Sequence, residues 1–296
     1  MASEIKNLPI VKGVYSGKVR DVYDLGDTLL LVTSDRISAF DVVFPTIIPN
    51  KGKILTQISL FFFNLTESVI PNHLITANVD EYPKELHPFK EELRDRSMIV
   101  KKTRVIPYEC IVRGYITGSA WNEYKKRGTV NGSKQPTGLK ESEKFPESLF
   151  TPSTKAEVGN DENISYEEML ERMDQRIGEF LKAKSLEIYN KGHKFLDERG
   201  IILADTKLEF GALNGEIILI DEVLTPDSSR FWDKNEYAIG TSPLSYDKQY
   251  IRDYIVNSGW NKKPPAPELP SEIIEKTYEK YYQAYKLIVG NEAKVW

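Results

Sequence analysis

Residues 201–230, IILADTKLEFGALNGEIILIDEVLTPDSSR, carry the strongest local signal in the chain. Two runs rich in β-branched and aliphatic residues, 201–210 and 216–223, flank Asn214-Gly215. Both residues of an Asn-Gly pair tolerate positive φ, so the dipeptide between such runs predicts a β-hairpin. Side chains alternate along a strand, which places Asp205, Lys207 and Glu209 on one face. The returning strand brings Asp221 and Glu222 beside them. Several carboxylates and a lysine on an Ile- and Leu-rich hairpin suit a site that holds a divalent cation against phosphate, because Mg²⁺ takes hard oxygen ligands and bridges phosphates. The alternative is the solvated polar face of a half-exposed antiparallel pair.

Register decides which acids meet. A strict two-residue loop pairs 213 with 216, hence 207 with 222 and 209 with 220, and sets Glu222 on the face of Lys207 and Glu209. A bulge at Gly215 shifts the pairing by one, so that Glu209 sits opposite Asp221. The residues alone leave both registers open.

Upstream, residues 12–23 carry Gly13 and Gly17 among alternating aliphatic residues, with Lys18 and Arg20 close by. Neither a Walker A nor a G-x-G-x-x-G pattern is present, but a glycine-bearing hairpin with two cations can fold over phosphates. A short strand then ends in Ser34-Asp35-Arg36-Ile37-Ser38-Ala39-Phe40-Asp41, which also reads as a capped turn. Apolar residues at helical spacing predict a packing helix over 54–69. Strands are expected at 97–100 and 109–113, and a helix at 120–126. Arg113 and Ser119 bracket the glycine-bearing turn before that helix, which reads equally as an anion site made by backbone amides and an arginine or as an ordinary strand-to-helix turn.

Residues 128–164 show little periodicity and read as a long irregular segment of the kind that is either functional or disordered. Ser165-x-x-Glu168 predicts a capping box opening two helices broken near 173–178 and closed by Gly200. Further helices are expected near 246–257 and at 271–289, joined by the proline-rich linker 262–270.

Composition bounds the function. The 296 residues carry a net charge of −4, so there is no basic footprint for nucleic acid. No apolar run approaches the roughly 18 residues of a membrane span. The single cysteine, Cys110, excludes an internal disulfide and suits a reducing, cytoplasmic setting. Three scattered histidines do not fit zinc-ligand spacings.

Taken in order, S-G-K-V-R-D-V-Y at 16–23, D-R-I-S-A-F-D at 35–41, V-R-G-Y-I-T-G-S-A-W at 112–121, F-T-P-S-T-K-A-E at 150–157, A-D-T-K-L-E-F-G at 204–211 and D-E-V-L-T-P-D-S-S-R-F-W at 221–232 resemble the SAICAR synthetase family. The resemblance runs from about residue 10 to the C-terminus, without the fused carboxylase domain of some animal relatives. It implies a two-lobed α+β fold, distantly kinase-like, with antiparallel sheets and an ATP cleft between the lobes. The expected lobes are residues 1–110, binding nucleotide, and 111–296, carrying the metal, ribotide and aspartate sites. The implied reaction joins L-aspartate to the carboxylate of carboxyaminoimidazole ribotide (CAIR), with ATP converting that carboxylate to an acyl phosphate. Phosphoryl transfer of this kind needs positioning and charge neutralisation more than covalent help.

By the same resemblance, Glu209 and Asp221 are the Mg²⁺ ligands, which favours the bulged register. Lys18 and Arg20 attend the ATP phosphates, and the 101–109 segment, with Lys101 and Glu109, borders the adenine. Asp41, Arg113, Ser119 and Arg230 attend CAIR, Asp161 the aspartate, and Lys155, Asp205 and Lys207 line the reacting centre. Two rivals are a small-molecule kinase of inositol-phosphate type, which would stop after phosphoryl transfer, and a non-catalytic nucleotide-binding module.

Overall fold

The computed structural model describes residues 2–155, 161–246 and 248–296. Ala156-Glu157 of the 150–157 motif and Asn160 lie outside the described residues. The chain forms two compact units: Met1–Phe63, His73–Thr103 and Tyr246–Trp296 make one, Asn64–Asn72 and Arg104–Ser245 the other. This corrects the division at residue 110. The closing segment joins the first unit because Ile251, Ile255, Leu269 and Ile273 bury with Ile37, Ala39, Phe44 and Ile48. Those four residues come from the helices Gln249–Asn257 and Ser271–Val289 and the linker between them. An amphipathic helix joins whichever sheet or hairpin offers an apolar face, however distant in sequence.

The first unit is built on a five-stranded antiparallel sheet, ordered Gly13–Ser16, Arg20–Asp24, Thr28–Thr33, Ser97–Lys101, Leu74–Thr76. Tyr23, Leu30, Val32 and Ile99 pack from it against Val79, Tyr82, Leu86 and Leu93. The hairpin Arg36–Ala39 and Val42–Ile47 is a separate two-stranded pair.

The second unit is organised around the strand Ile201–Leu213, which takes partners along both edges. Tyr108–Tyr115 and Arg104–Val105 pair with it, as do Glu216–Ile220 and Ser229–Asp233. Being covered by other elements, it is buried at nearly every position instead of alternating. The helix Gln175–Asp197 is fastened to its start, where the Tyr189 hydroxyl donates to the Leu203 carbonyl at 2.7 Å. The capping box at Ser165 and Glu168 is formed, and the break falls between Tyr166–Glu171 and Gln175–Asp197.

The hairpin register is the strict one: Leu213 pairs with Glu216 and Glu209 with Ile220. The bulged pairing that the resemblance favoured is not adopted. Asn214 at φ 51° and Gly215 at φ 86° form the two-residue turn whose twist matches that of the strands, so an extra residue has nothing to relieve. The segment 128–164 is also more regular than its composition suggests. It holds the pair Thr129–Val130 and Ser133–Lys134, and the strand Lys144–Phe150 on the edge of Tyr108–Tyr115. The register of that edge strand shifts between Lys144 and Leu149, around Pro146, the position at which a strand with a missing N–H donor is tolerated. Among the described residues no helix is long and apolar enough to cross a membrane.

Candidate active site

Three neighbouring strands bring one carboxylate between two guanidiniums. Asp205 lies opposite Arg113 across one edge of its strand and opposite Arg230 across the other. Arg113 Nη1 donates to Asp205 Oδ2 at 2.9 Å, and Arg230 Nη1 donates to the same oxygen. The remaining Arg113 nitrogens donate to Thr151 Oγ1 at 3.0 Å and Ser119 Oγ at 3.3 Å. Arg113 and Asp205 are buried, and Arg230 remains partly exposed. Ser119 stands at the start of the helix Gly118–Arg127, whose first amides point at no carbonyl of their own helix. Gly118 suits that place: its φ is 58°, and a Cβ would lie 2.4 Å from Arg230 Nη2 and oblige the guanidinium to shift. Guanidiniums, a hydroxyl and a helix N-terminus converge as an anion-binding surface.

Two residues further along the same strand face, charges alternate. Lys207 Nζ donates to Glu109 Oε1 at 2.5 Å, and Ser153 Oγ donates to Glu109 Oε2 at 3.2 Å. Lys155 Nζ donates to Glu209 Oε2. Burial would lower the Lys207 pKa, but the charges of Glu109, Glu209 and Asp221 outweigh it and raise it. Burial and then the charge of Asp221 push the Glu209 carboxyl above the usual range, against the opposing pull of Lys155 and Lys207.

Asp221 reaches this cluster despite the strict register because its backbone turns left-handed, at φ 64°, directly after the strand ends at Ile220. An aspartate tolerates that conformation better than most residues. Glu222 is occupied elsewhere, accepting from Thr225 Oγ1 at 2.6 Å in the turn that leads to Arg230. The charge of Asp221 therefore adds to the cost of ionising Glu209, a cost that a bound cation would offset. Among the described residues no three acids, histidines or cysteines converge as a closed metal site. Two neighbouring hard carboxylates nonetheless fit the chemistry of Mg²⁺, which takes few protein carboxylates and completes its shell with water and phosphate oxygens.

Lys18, Arg20, Asp41 and Lys101 belong to the first unit. Lys18 lies in the turn between Gly13–Ser16 and Arg20–Asp24, and its Nζ donates to Asp41 Oδ1 at 2.5 Å. Both side chains are more than half exposed. Sequence reasoning assigned these two to different ligands, and the fold pairs them. The turn itself is held by Arg36, which donates to the Gly17 and Lys18 carbonyls at 3.1 Å each and to both oxygens of Asp21. Arg20 is half-buried on its strand, and Lys101 is exposed at the end of Ser97–Lys101. Asp161, also exposed, follows the residues left undescribed. Arg36, Thr151, Ser153 and Gly118 were not singled out from the sequence. Each stands within a quoted motif or polar cluster, but only long-range contacts reveal its task.

The SAICAR synthetase family model matches residues 13–267. The chain belongs to the SAICAR synthetase family. A phosphoribosylaminoimidazole-succinocarboxamide synthase of Thermodesulfovibrio yellowstonii is 54% identical over 284 residues, covering 96% of this chain and 97% of that protein. One from Desulfatibacillum aliphaticivorans is 53% identical over 291 residues, covering 98% and 96%. The SAICAR synthase of Saccharomyces cerevisiae, solved in complex with SAICAR, superposes with a TM-score of 0.88 at 45% identity, over 97% of both chains. A SAICAR synthetase solved with ADP superposes at 0.68 and 26% identity, over 96% of this chain and all of that one. The α+β architecture of antiparallel sheets and helices is thus that of the SAICAR synthetases.

Proposed function

We propose that the charged face of Ile201–Leu213 and its neighbours performs the ligation of the SAICAR synthetase family, with the following division of labour. The chain is an ATP-dependent carbon–nitrogen ligase of purine biosynthesis, joining L-aspartate to CAIR to give SAICAR, ADP and phosphate. A carboxylate is a poor electrophile. Its oxygen therefore attacks the γ-phosphorus of ATP, ADP leaves, and the aspartate amine then displaces phosphate from the acyl phosphate. Arg113, Arg230, Ser119 and the first amides of Gly118–Arg127 bind the anionic groups of the ribotide. Asp205 holds the two guanidiniums at a fixed spacing, Arg113 buried and Arg230 partly exposed toward the substrate side. Lys155 and Lys207 lie where charge accumulates on the transferred phosphoryl group, and Glu109 with Ser153 orients Lys207.

Glu209 and Asp221 hold Mg²⁺, which when bound supplies charge neutralisation of the nucleotide phosphates. Lys18 and Arg20 attend the ATP phosphates, Lys101 borders the nucleotide, and Asp41 and Asp161 serve CAIR and aspartate, as the motifs imply. A cytoplasmic setting suits the small-molecule substrates and the single buried thiol.

One observation carries this reading: Asp205, Lys207 and Glu209 each meet an oppositely charged partner from another segment on one strand face. That arrangement suits an anionic substrate, a metal and a migrating phosphoryl group together. The test is coupled detection of ADP with each substrate omitted in turn. ADP release is expected only with CAIR and aspartate both present. Brisk ATP hydrolysis with CAIR alone, and no succinylated product on adding aspartate, would sink the ligase reading in favour of a kinase or a hydrolase.

A further inference from the structure

The segment between Pro152 and Ile164 carries Lys155 and Asp161, and its two ends are brought together by a short antiparallel ladder. The Thr154 amide donates to the Glu162 carbonyl at 2.9 Å, the Ile164 amide to the Pro152 carbonyl at 3.1 Å, and Ser153 bridges Asn163. A side chain from outside the segment closes this neck. Buried Asn131 donates through Nδ2 to the Pro152 carbonyl at 3.0 Å and to the Ile164 carbonyl at 3.1 Å, one on each side.

Asn131 is itself fixed. It occupies the turn between Thr129–Val130 and Ser133–Lys134 at φ 47°, with Gly132 at φ 76°. Glu123 gathers that turn: its carboxylate accepts from the Asn131 amide at 3.0 Å, the Gly132 amide at 2.9 Å and Thr129 Oγ1 at 2.7 Å. Glu123 lies one turn after Ser119 on the same face of Gly118–Arg127, the helix whose start meets Arg113. A continuous chain of hydrogen bonds thus runs from the ribotide-binding helix to both ends of the segment bearing Lys155 and Asp161.

We propose that Asn131, oriented by Glu123, is a positioning residue for aspartate capture: it sets the neck of the Pro152–Ile164 segment relative to the anion-binding helix. The inference rests on the reading above that Lys155 and Asp161 serve the reacting centre and the aspartate. It goes beyond that reading by assigning a task to two residues that touch no substrate. Neither hydrophobic burial nor strand pairing requires an amide at this position, since a glycine satisfies the turn as well. What the amide adds is a link between two carbonyls twelve positions apart in the chain.

The test is Asn131→Gly, which keeps the left-handed backbone and deletes the amide. Asn131→Ala, which deletes the amide without adding a charge, and the circular dichroism spectra of both variants guard against a glycine variant that fails to fold. The KM for aspartate is expected to rise about tenfold in both, roughly what loss of a hydrogen-bonded positioning contact costs. The KM values for ATP and CAIR should stay within about twofold, on the same premise that only one substrate's contacts move. Equal rises in all three KM values would mark a merely structural role and overturn the proposal, as would an unchanged KM for aspartate. Lys155→Ala, measured alongside, separates the two layers. An inactive Lys155→Ala with normal Asn131 variants refutes this inference alone, whereas a fully active Lys155→Ala refutes the reading beneath it.

Discussion

Replacing Asp205 by asparagine tests the centre of the site, because the side chain keeps its shape and loses only its charge. In the native protein that charge lies between two guanidiniums, with Arg113 Nη1 at 2.9 Å and both Arg113 and Asp205 buried. Two unit charges about 4 Å apart attract by about 4 kcal/mol at an effective dielectric of 20. Native desolvation of the carboxylate offsets part of that. Against this, the variant leaves Arg113 buried opposite a neutral amide, with its repulsion from Arg230 no longer compensated. Removing one partner of a buried pair costs about 3–5 kcal/mol, and about 3 is the figure to expect where Arg230 keeps some solvent. At about 2–4 °C per kcal/mol, the melting temperature should fall by roughly 6–12 °C. Thermal unfolding followed by circular dichroism at neutral pH measures the loss. Inorganic phosphate should restore more stability to Asp205→Asn than to the wild type, since the freed guanidiniums then have an anion to bind. A melting temperature within about 1 °C of wild type, or equal phosphate effects on both proteins, would refute the view that Asp205 holds the arginine pair together.

Asp221→Asn should lower activity by about 10² or more with partial recovery in excess Mg²⁺ or Mn²⁺, while Glu222→Gln stays the milder lesion because Glu222 serves the Thr225 turn. Steady-state rates across a metal titration decide this, and a dead Glu222→Gln beside a healthy Asp221→Asn would reverse the assignment. Burial pushes the Cys110 thiol up to about 12 from an ordinary 9.0, so it should resist iodoacetamide at about pH 8.5 in the folded protein and react fully in denaturant. Because the unfolded chain releases this proton first, the folded state binds more protons between those two values, and stability should fall as pH rises through that window. Urea midpoints should therefore drop more steeply above about pH 9 in wild type than in Cys110→Ala, and parallel slopes would show that the thiol is not buried as described.

Much of this protein was legible locally. Asn214-Gly215 marked the hairpin though not its register, and Ser165 with Glu168 marked its own cap, because each involves dihedrals and hydrogen bonds within four residues. The alternation along 201–213 placed Asp205, Lys207 and Glu209 on one face, and the ordered motifs identified the family before any coordinate was known. The partners of those three residues were another matter. Arg113 and Glu109 lie some ninety positions away, and which carboxylate meets which cation follows from strand order and register across three segments. Asp221 joined Glu209 through a backbone angle at the end of a strand, against the register that strand periodicity would have required. The C-terminal helices chose the first unit because its hairpin offered the apolar face they fill. Asn131 meets the Pro152 and Ile164 carbonyls, at 3.0 and 3.1 Å, only because the fold brings two distant segments to its turn. Local sequence sets dihedral preferences and periodicity. Contacts between distant segments form only when enough apolar surface is buried to offset the entropy of closing the chain between them, and the folded whole alone decides that balance.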